Sequence, residues 1–90
     1  MKLGVFVSEF EQNELLDRLK AERLGIFLVE NGIYSGLKPE KREDAEYYLL
    51  SEDLETRGFG LDDVDSRVKV VTYPELTDLI MEEYEKLIWL

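Results

Sequence analysis

Leu24-Gly25-Ile26-Phe27-Leu28-Val29-Glu30 is an almost unbroken apolar stretch with no polar alternation. Such a run reads as a strand buried on both faces, the kind found in parallel sheets covered on both sides. Parallel neighbours cannot be joined by a tight turn; they need a crossover, usually a helix. Asn31-Gly32 follows the run directly, and two readings compete. Asn-Gly between apolar segments is a hairpin signal, with Ile33-Tyr34 opening a return strand. A doubly buried strand argues instead for a loop and a short helical turn through about Leu37, and that reading is preferred.

Working outward, Lys2 to Val7 reads as a strand bounded by Ser8. Ser8 and Glu11 have capping-box spacing, and Leu15, Leu16 and Leu19 form a stripe on a helix from about Glu11 to Glu22. Lys38 to Asp44 is a charged, Pro-containing loop. Glu46 to Leu50 is a third strand. Ser51 is placed to cap a short helix through Arg57, with Gly58 as its left-handed terminator. Arg67 to Thr72 alternates partly and reads as a fourth strand near a sheet edge. Thr72 and Glu75 make a second capping box, with Pro74 in the first turn. Leu76, Leu79, Ile80, Tyr84, Leu87 and Ile88 then share one face of a last helix reaching the C-terminus.

This order predicts a single α/β domain over residues 1–90. It is a three-layer fold, with a mostly parallel sheet of about four strands and helices on both faces. Ligands in such sheets sit beyond the carboxyl ends of the strands, here Ser8, Asn31-Gly32, Ser51-Glu52-Asp53 and Thr72-Tyr73.

Composition removes much chemistry. The 90 residues contain no cysteine and no histidine, and carry 11 Lys+Arg against 21 Asp+Glu, a net charge of −10. Without cysteine there is no disulfide, persulfide, thiolate nucleophile or iron–sulfur cluster. Without histidine there is no Ser-His-Asp triad and no ordinary zinc site. No cofactor is expected, and no catalytic or metal-binding residue is assigned. The negative charge repels phosphate backbones and anionic membranes, so neither nucleic acid nor membrane is expected as a direct partner. No apolar run approaches the roughly 18 residues of a membrane span, and the N-terminus lacks signal-peptide features, which makes the cytoplasm the expected compartment.

Two acidic clusters invite a functional reading. Asp62, Asp63 and Asp65 lack the central glycine and closing glutamate of a calcium loop, so they read as a solvated loop. Glu52, Asp53 and Glu55 lie at a helix start, where the helix dipole accounts for them. Gly58 and Gly60 follow a helix rather than a strand and form neither a dinucleotide-binding nor a P-loop motif. The stretch Leu87-Ile88-Trp89-Leu90 is unusually apolar for a helix end: either it folds back on the sheet or it docks a partner. Tyr34 and Phe59, in loops, are further partner anchors. These features point to interaction more than catalysis.

From about Ile26 onward the chain resembles the DsrH/TusB branch of the DsrE/DsrF/DsrH sulfur-relay family. The pieces are a strand into Asn31-Gly32-Ile33, a strand into Ser51-Glu52-Asp53-Leu54-Glu55-Thr56-Arg57-Gly58, and a strand into Thr72-Tyr73-Pro74-Glu75-Leu76-Thr77-Asp78-Leu79. The resemblance implies an oligomeric, non-catalytic subunit supporting persulfide transfer, towards 2-thiouridine at the tRNA wobble position or in sulfur oxidation. Its implied partners are DsrE/TusD-like and DsrF/TusC-like subunits, or further copies of itself. Asn31, Gly32, Tyr34, Arg57, Gly58, Phe59 and Trp89 are the expected partner interface. The alternative is a stand-alone homo-oligomeric module binding a small ligand or anion, with Asn31, Ser51 and Arg57 lining its site.

Overall fold

The computed structural model of the chain describes residues 2–8, 23–37 and 45–89. Strand β1 is Lys2–Val7, β2 Arg23–Leu28, β3 Ala45–Leu50, β4 Val68–Val71 and β5 Lys86–Trp89. A 3-10 helix (Glu30–Leu37) follows β2, helix α1 (Ser51–Thr56) follows β3, and helix α2 (Tyr73–Glu83) links β4 to β5. The expected helix at Glu11–Glu22 with its Ser8–Glu11 box, and the loop at Lys38–Asp44, lie outside the described residues.

The sheet order is β4-β3-β2-β1-β5, and every pairing is parallel. β2 sits at the centre, covered on both faces as its apolar run predicts, and the segment after Asn31-Gly32 is helical rather than a hairpin return strand. The helical reading wins because a parallel sheet buries both faces of β2. On one face Leu3, Val5, Val7, Leu24, Ile26, Leu28, Tyr47, Leu49 and Val68 pack under Ile33 of the 3-10 helix and Leu54 of α1. On the other, Phe27, Val29, Tyr48, Leu50 and Val71 pack under Leu76 of α2. The three layers follow from these two covered faces.

In-register pairing lines up one residue from each strand on the α2 face. Phe6 stands opposite both Trp89 and Phe27, and Phe27 opposite Tyr48. Their rings stack with centroids 5.1, 5.1 and 5.2 Å apart and planes within 16–23°. Gly4 and Gly25, also directly paired, leave a flat floor for the Tyr84 ring. A Cβ at Gly25 would run into the Tyr84 ring and hydroxyl. Tyr84 in turn meets Phe27 edge-on at 5.3 Å. The Tyr48 hydroxyl donates to Glu46 at 2.6 Å. Burial, and then its hydrogen bonds to Glu46 and Tyr84, push the Tyr48 phenol well above its ordinary value of 10.0.

The end of the chain departs from the expectation of one long helix and about four strands. α2 stops at Glu83, Tyr84 is extended (φ −114°, ψ 130°), and Lys86–Trp89 forms a fifth strand beside β1. Leu76, Leu79 and Ile80 do face the sheet from α2, but Leu87 and Ile88 belong to β5. The outer edge of β1 otherwise presents unpaired amides and carbonyls, which β5 satisfies. Lys2 secures the junction: its amide donates to the Glu85 carboxylate (3.3 Å), its carbonyl accepts from the Glu85 amide (3.1 Å), and its ammonium pairs with Glu83 (3.3 Å). At the opposite edge β4 is exposed at Lys69, in keeping with its partial alternation. The Thr72–Glu75 capping box forms as predicted, with Thr72 Oγ1 accepting from the Glu75 amide at 3.4 Å and Glu75 accepting from the Thr72 amide at 2.9 Å.

Two outcomes follow. Phe27→Ala removes an inner ring of the row from a fully buried site, and a urea melt should show a loss of about 3–5 kcal/mol. Because the folded-state pKa of Tyr48 is raised, its contribution is complete below the unfolded value of 10.0 and falls away as pH rises beyond it. Stability measured across the alkaline limb should therefore drop less steeply for Tyr48→Phe than for the parent chain.

Candidate functional site

The carboxyl ends of the strands gather Ser8, Glu30, Asn31, Ser51, Asp53 and Tyr73 at one end of the sheet. The chain leaves β2 through a tight turn. The Val29 amide donates to the Val7 carbonyl (3.1 Å), the Gly32 amide to the Val29 carbonyl (2.8 Å), and Glu30 has φ +50°. A positive φ at a residue with a Cβ costs about 1–2 kcal/mol. It is offset in part by a bond of 2.7 Å from the Glu30 amide to the Asp53 carboxylate. Gly32 is buried, and a Cβ there would strike the Val7 carbonyl oxygen.

Arg57 completes the junction between the β2 and β3 ends. Its Nε and Nη2 donate to Asn31 Oδ1 at 3.3 and 3.1 Å, and its Nη1 stands 3.9 Å from Asp53. Gly58 follows with φ +79°; its amide donates to the Glu55 carbonyl (3.0 Å) and the Phe59 amide to the Leu54 carbonyl (3.2 Å). That pair of bonds is the left-handed helix stop that the glycine predicts. Phe59 is thereby turned against Tyr34, ring edge to ring face at 5.9 Å. Two contacts, Asn31–Arg57 and Tyr34–Phe59, thus join the two segments, with Gly32 itself buried, and the Asp-Leu-x-x-Arg-Gly spacing has a structural job: it ties α1 to the turn after β2. Phe59 also lines a hollow of about 430 Å³ with Leu54, Gly60 and Leu61, the last 70% exposed.

Trp89 lies elsewhere, across the sheet on the α2 face. It folds back as part of β5, stacks on Phe6, and remains 60% exposed. It lines a smaller pocket of about 130 Å³ with Phe6, Leu50, Leu76, Tyr73, Glu30 and Asp53. Sequence reasoning placed Asp53 and Tyr73 at this ligand-binding end of the sheet but missed the Phe6–Trp89 wall that makes the pocket. It depends on Phe6 and Trp89 being register partners at opposite ends of the chain, and the only signal was an aromatic residue near the end of each strand.

Ser51 does not cap α1. Leu50 occupies the cap position without a side-chain bond, and Ser51, the first helical residue, donates its hydroxyl to Glu52 at 2.9 Å. Glu52 also accepts from the Tyr73 amide at 3.3 Å. Desolvation works to raise its pKa, but the bonds from Ser51, its own amide and Tyr73 outweigh it and hold the carboxyl below 4.5. The guanidinium of Arg57 is engaged with Asn31 and flanked by Asp53, which works against an anion site on Asn31, Ser51 and Arg57. The second acidic cluster serves loop closure: Asp63 accepts from the Gly60 amide (2.8 Å) and Asp65 pairs with Arg67 (3.0 Å). No group of three or more metal-ligating side chains occurs among the described residues. Among them, no helix is long and apolar enough to cross a membrane.

The fold and this motif-bearing junction define a DsrH-like domain. The profile of the DsrH like protein family matches residues 7–86, and the chain belongs to that family. It is similar to protein Tm0979 from Thermotoga maritima, known from a solution NMR structure. The identity is 29% over 92% of this chain and 94% of that one, with a TM-score of 0.72. A protein of unknown function from Methanobacterium thermoautotrophicum, MTH1491, shares the fold: TM-score 0.70, 13% identity, 97% of each chain covered. No curated protein matches.

Glu52 supplies the pH signature of the strand-end region. Its carboxyl sits below its ordinary value of 4.5, so its stabilising effect is present above that value and is lost as pH falls through the lowered one. The stability gap between the parent chain and Glu52→Gln should be widest near neutrality and close on acidification, read from urea midpoints along a pH series.

Proposed function

We propose that the chain is a non-catalytic subunit of a sulfur-relay complex, supporting persulfide transfer by cysteine-bearing DsrE/TusD-like and DsrF/TusC-like partners. The observation that carries this reading is a DsrH-like family match over residues 7–86 in a sequence without a single cysteine. Persulfide sulfur travels on thiolates, so this chain's part is to hold and orient a partner that has one. The products it serves are 2-thiouridine at the tRNA wobble position or oxidised sulfur, in a cytoplasmic setting. With a net charge of −10, contact with the tRNA falls to other subunits.

The Asn31–Tyr34 turn and the Arg57–Phe59 stop supply the docking surface, with Trp89 as a separate anchor. The half-buried Tyr34–Phe59 pair beside the exposed Leu61 supports this placement, since exposed aromatic and aliphatic side chains next to a hollow are what interfaces use. A second reading, a homo-oligomeric module binding a small ligand, draws support from the pocket at the strand ends.

A tagged pull-down at native abundance, followed by mass spectrometry, separates the two. Small cysteine-bearing relatives in fixed stoichiometry are the expected result, with labelled persulfide sulfur on their cysteines and none on this chain. Recovery of the chain with only itself would overturn the relay reading in favour of the second. Within the complex, Tyr34→Ala or Phe59→Ala should weaken assembly by about tenfold or more while costing less in folding. Normal assembly by both variants would remove this patch from the interface.

A further inference from the structure

The pocket of about 130 Å³ on the α2 face stands apart from the Tyr34–Phe59 patch and has its own chemistry. Sites for drug-sized ligands and cofactors run to about 300–1,000 Å³, so this one holds a group of single side-chain size. Its lining combines the apolar Phe6 and Leu76 with two aromatic rings left largely in water, Tyr73 at 54% and Trp89 at 60% exposure. Two carboxylates, Glu30 and Asp53, complete it, and no lining residue carries a positive charge. Asp53 is engaged by the Glu30 amide and lies 3.9 Å from Arg57, but the Glu30 carboxylate has no hydrogen-bond or ion-pair partner among the described residues.

We propose that this pocket receives an arginine or lysine side chain from a partner protein. Its aliphatic stem would lie along Phe6 and Leu76, and its charged head among Trp89, Tyr73 and the carboxylates of Glu30 and Asp53. A cation gains from an aromatic face, and most from tryptophan. A long basic side chain buries its stem while keeping the head near charge and water, which matches an apolar pocket with an acidic rim. The chain's net charge of −10 favours a basic partner over a second copy of itself. This goes beyond the relay reading and does not depend on it: the pocket is tested on the isolated chain, without any partner.

Trp89 is the only tryptophan in the sequence, so its emission and its indole N–H resonance report on the pocket directly. The probes are the N-acetyl methylamides of arginine, lysine and the neutral isostere citrulline. The arginine or lysine amide should shift both signals saturably, with a Kd on the order of millimolar, and the citrulline amide should bind about tenfold more weakly. Added salt should weaken the charged probes only. Glu30→Gln, at an exposed residue, should reduce their affinity several-fold without moving the urea midpoint. Equal binding of citrulline and arginine amides would overturn the proposal, as would no saturable shift in either signal up to about 50 mM probe. A response to spermidine but to neither amino-acid amide would also overturn it, by assigning the pocket to a free polyamine. Self-association that abolishes the probe response would overturn it too, by assigning the pocket to a second copy.

Discussion

Everything in this molecule depends on five parallel strands staying in register, and the stacked rings of Trp89, Phe6, Phe27 and Tyr48 are the contact that marks that register on one face. A slip of one residue in any of the four strands that carry these rings would send its ring through to the opposite side of the sheet. Each aromatic pair contributes roughly 0.5–1.5 kcal/mol beyond the area it buries, so the row favours the observed alignment over its neighbours. The paired glycines beneath Tyr84 extend the same logic, because the crossover from α2 to β5 can lie flat only where two adjacent strands lack side chains.

That register also sets the two surfaces at the strand ends. With Phe6 opposite Trp89, the edge of β5 delivers an indole beside Glu30 and Asp53. With β2 and β3 parallel and adjacent, the turn at Glu30–Gly32 comes within reach of α1, and Asp53 and Arg57 bind it. The residues that carry the DsrH-like likeness are thus first of all structural. They hold a strained turn and end a short helix, and the Tyr34–Phe59 patch is the surface that results.

Much of this architecture is legible in the order of the residues. The apolar run at Leu24–Glu30 identifies β2 as a strand of a parallel sheet with both faces covered, because only such a strand tolerates that sequence. The Thr72–Glu75 box and Gly58 are legible because caps and helix stops are local: they need a particular residue at a particular backbone angle. The same locality misleads at two places. Ser51 has the chemistry of a cap, but the helix begins at Ser51 itself and its hydroxyl goes to Glu52. Leu87 and Ile88 continue the helical spacing of Leu76, Leu79 and Ile80, yet they form a strand.

The sequence by itself determined the class of fold, the succession of its first four strands along the chain, the capped start of α2, the glycine stop after α1, and the exclusion of thiol and imidazole chemistry. Each of these follows from residue type or from spacing within a few turns of chain. The tertiary structure decided the fifth strand, the row of rings and the pocket at Trp89. These join residues more than eighty positions apart, and helical and extended forms of Lys86–Trp89 are separated only by whether the outer edge of β1 is there to pair with them. An open strand edge is a property of the assembled sheet, and no local spacing records it.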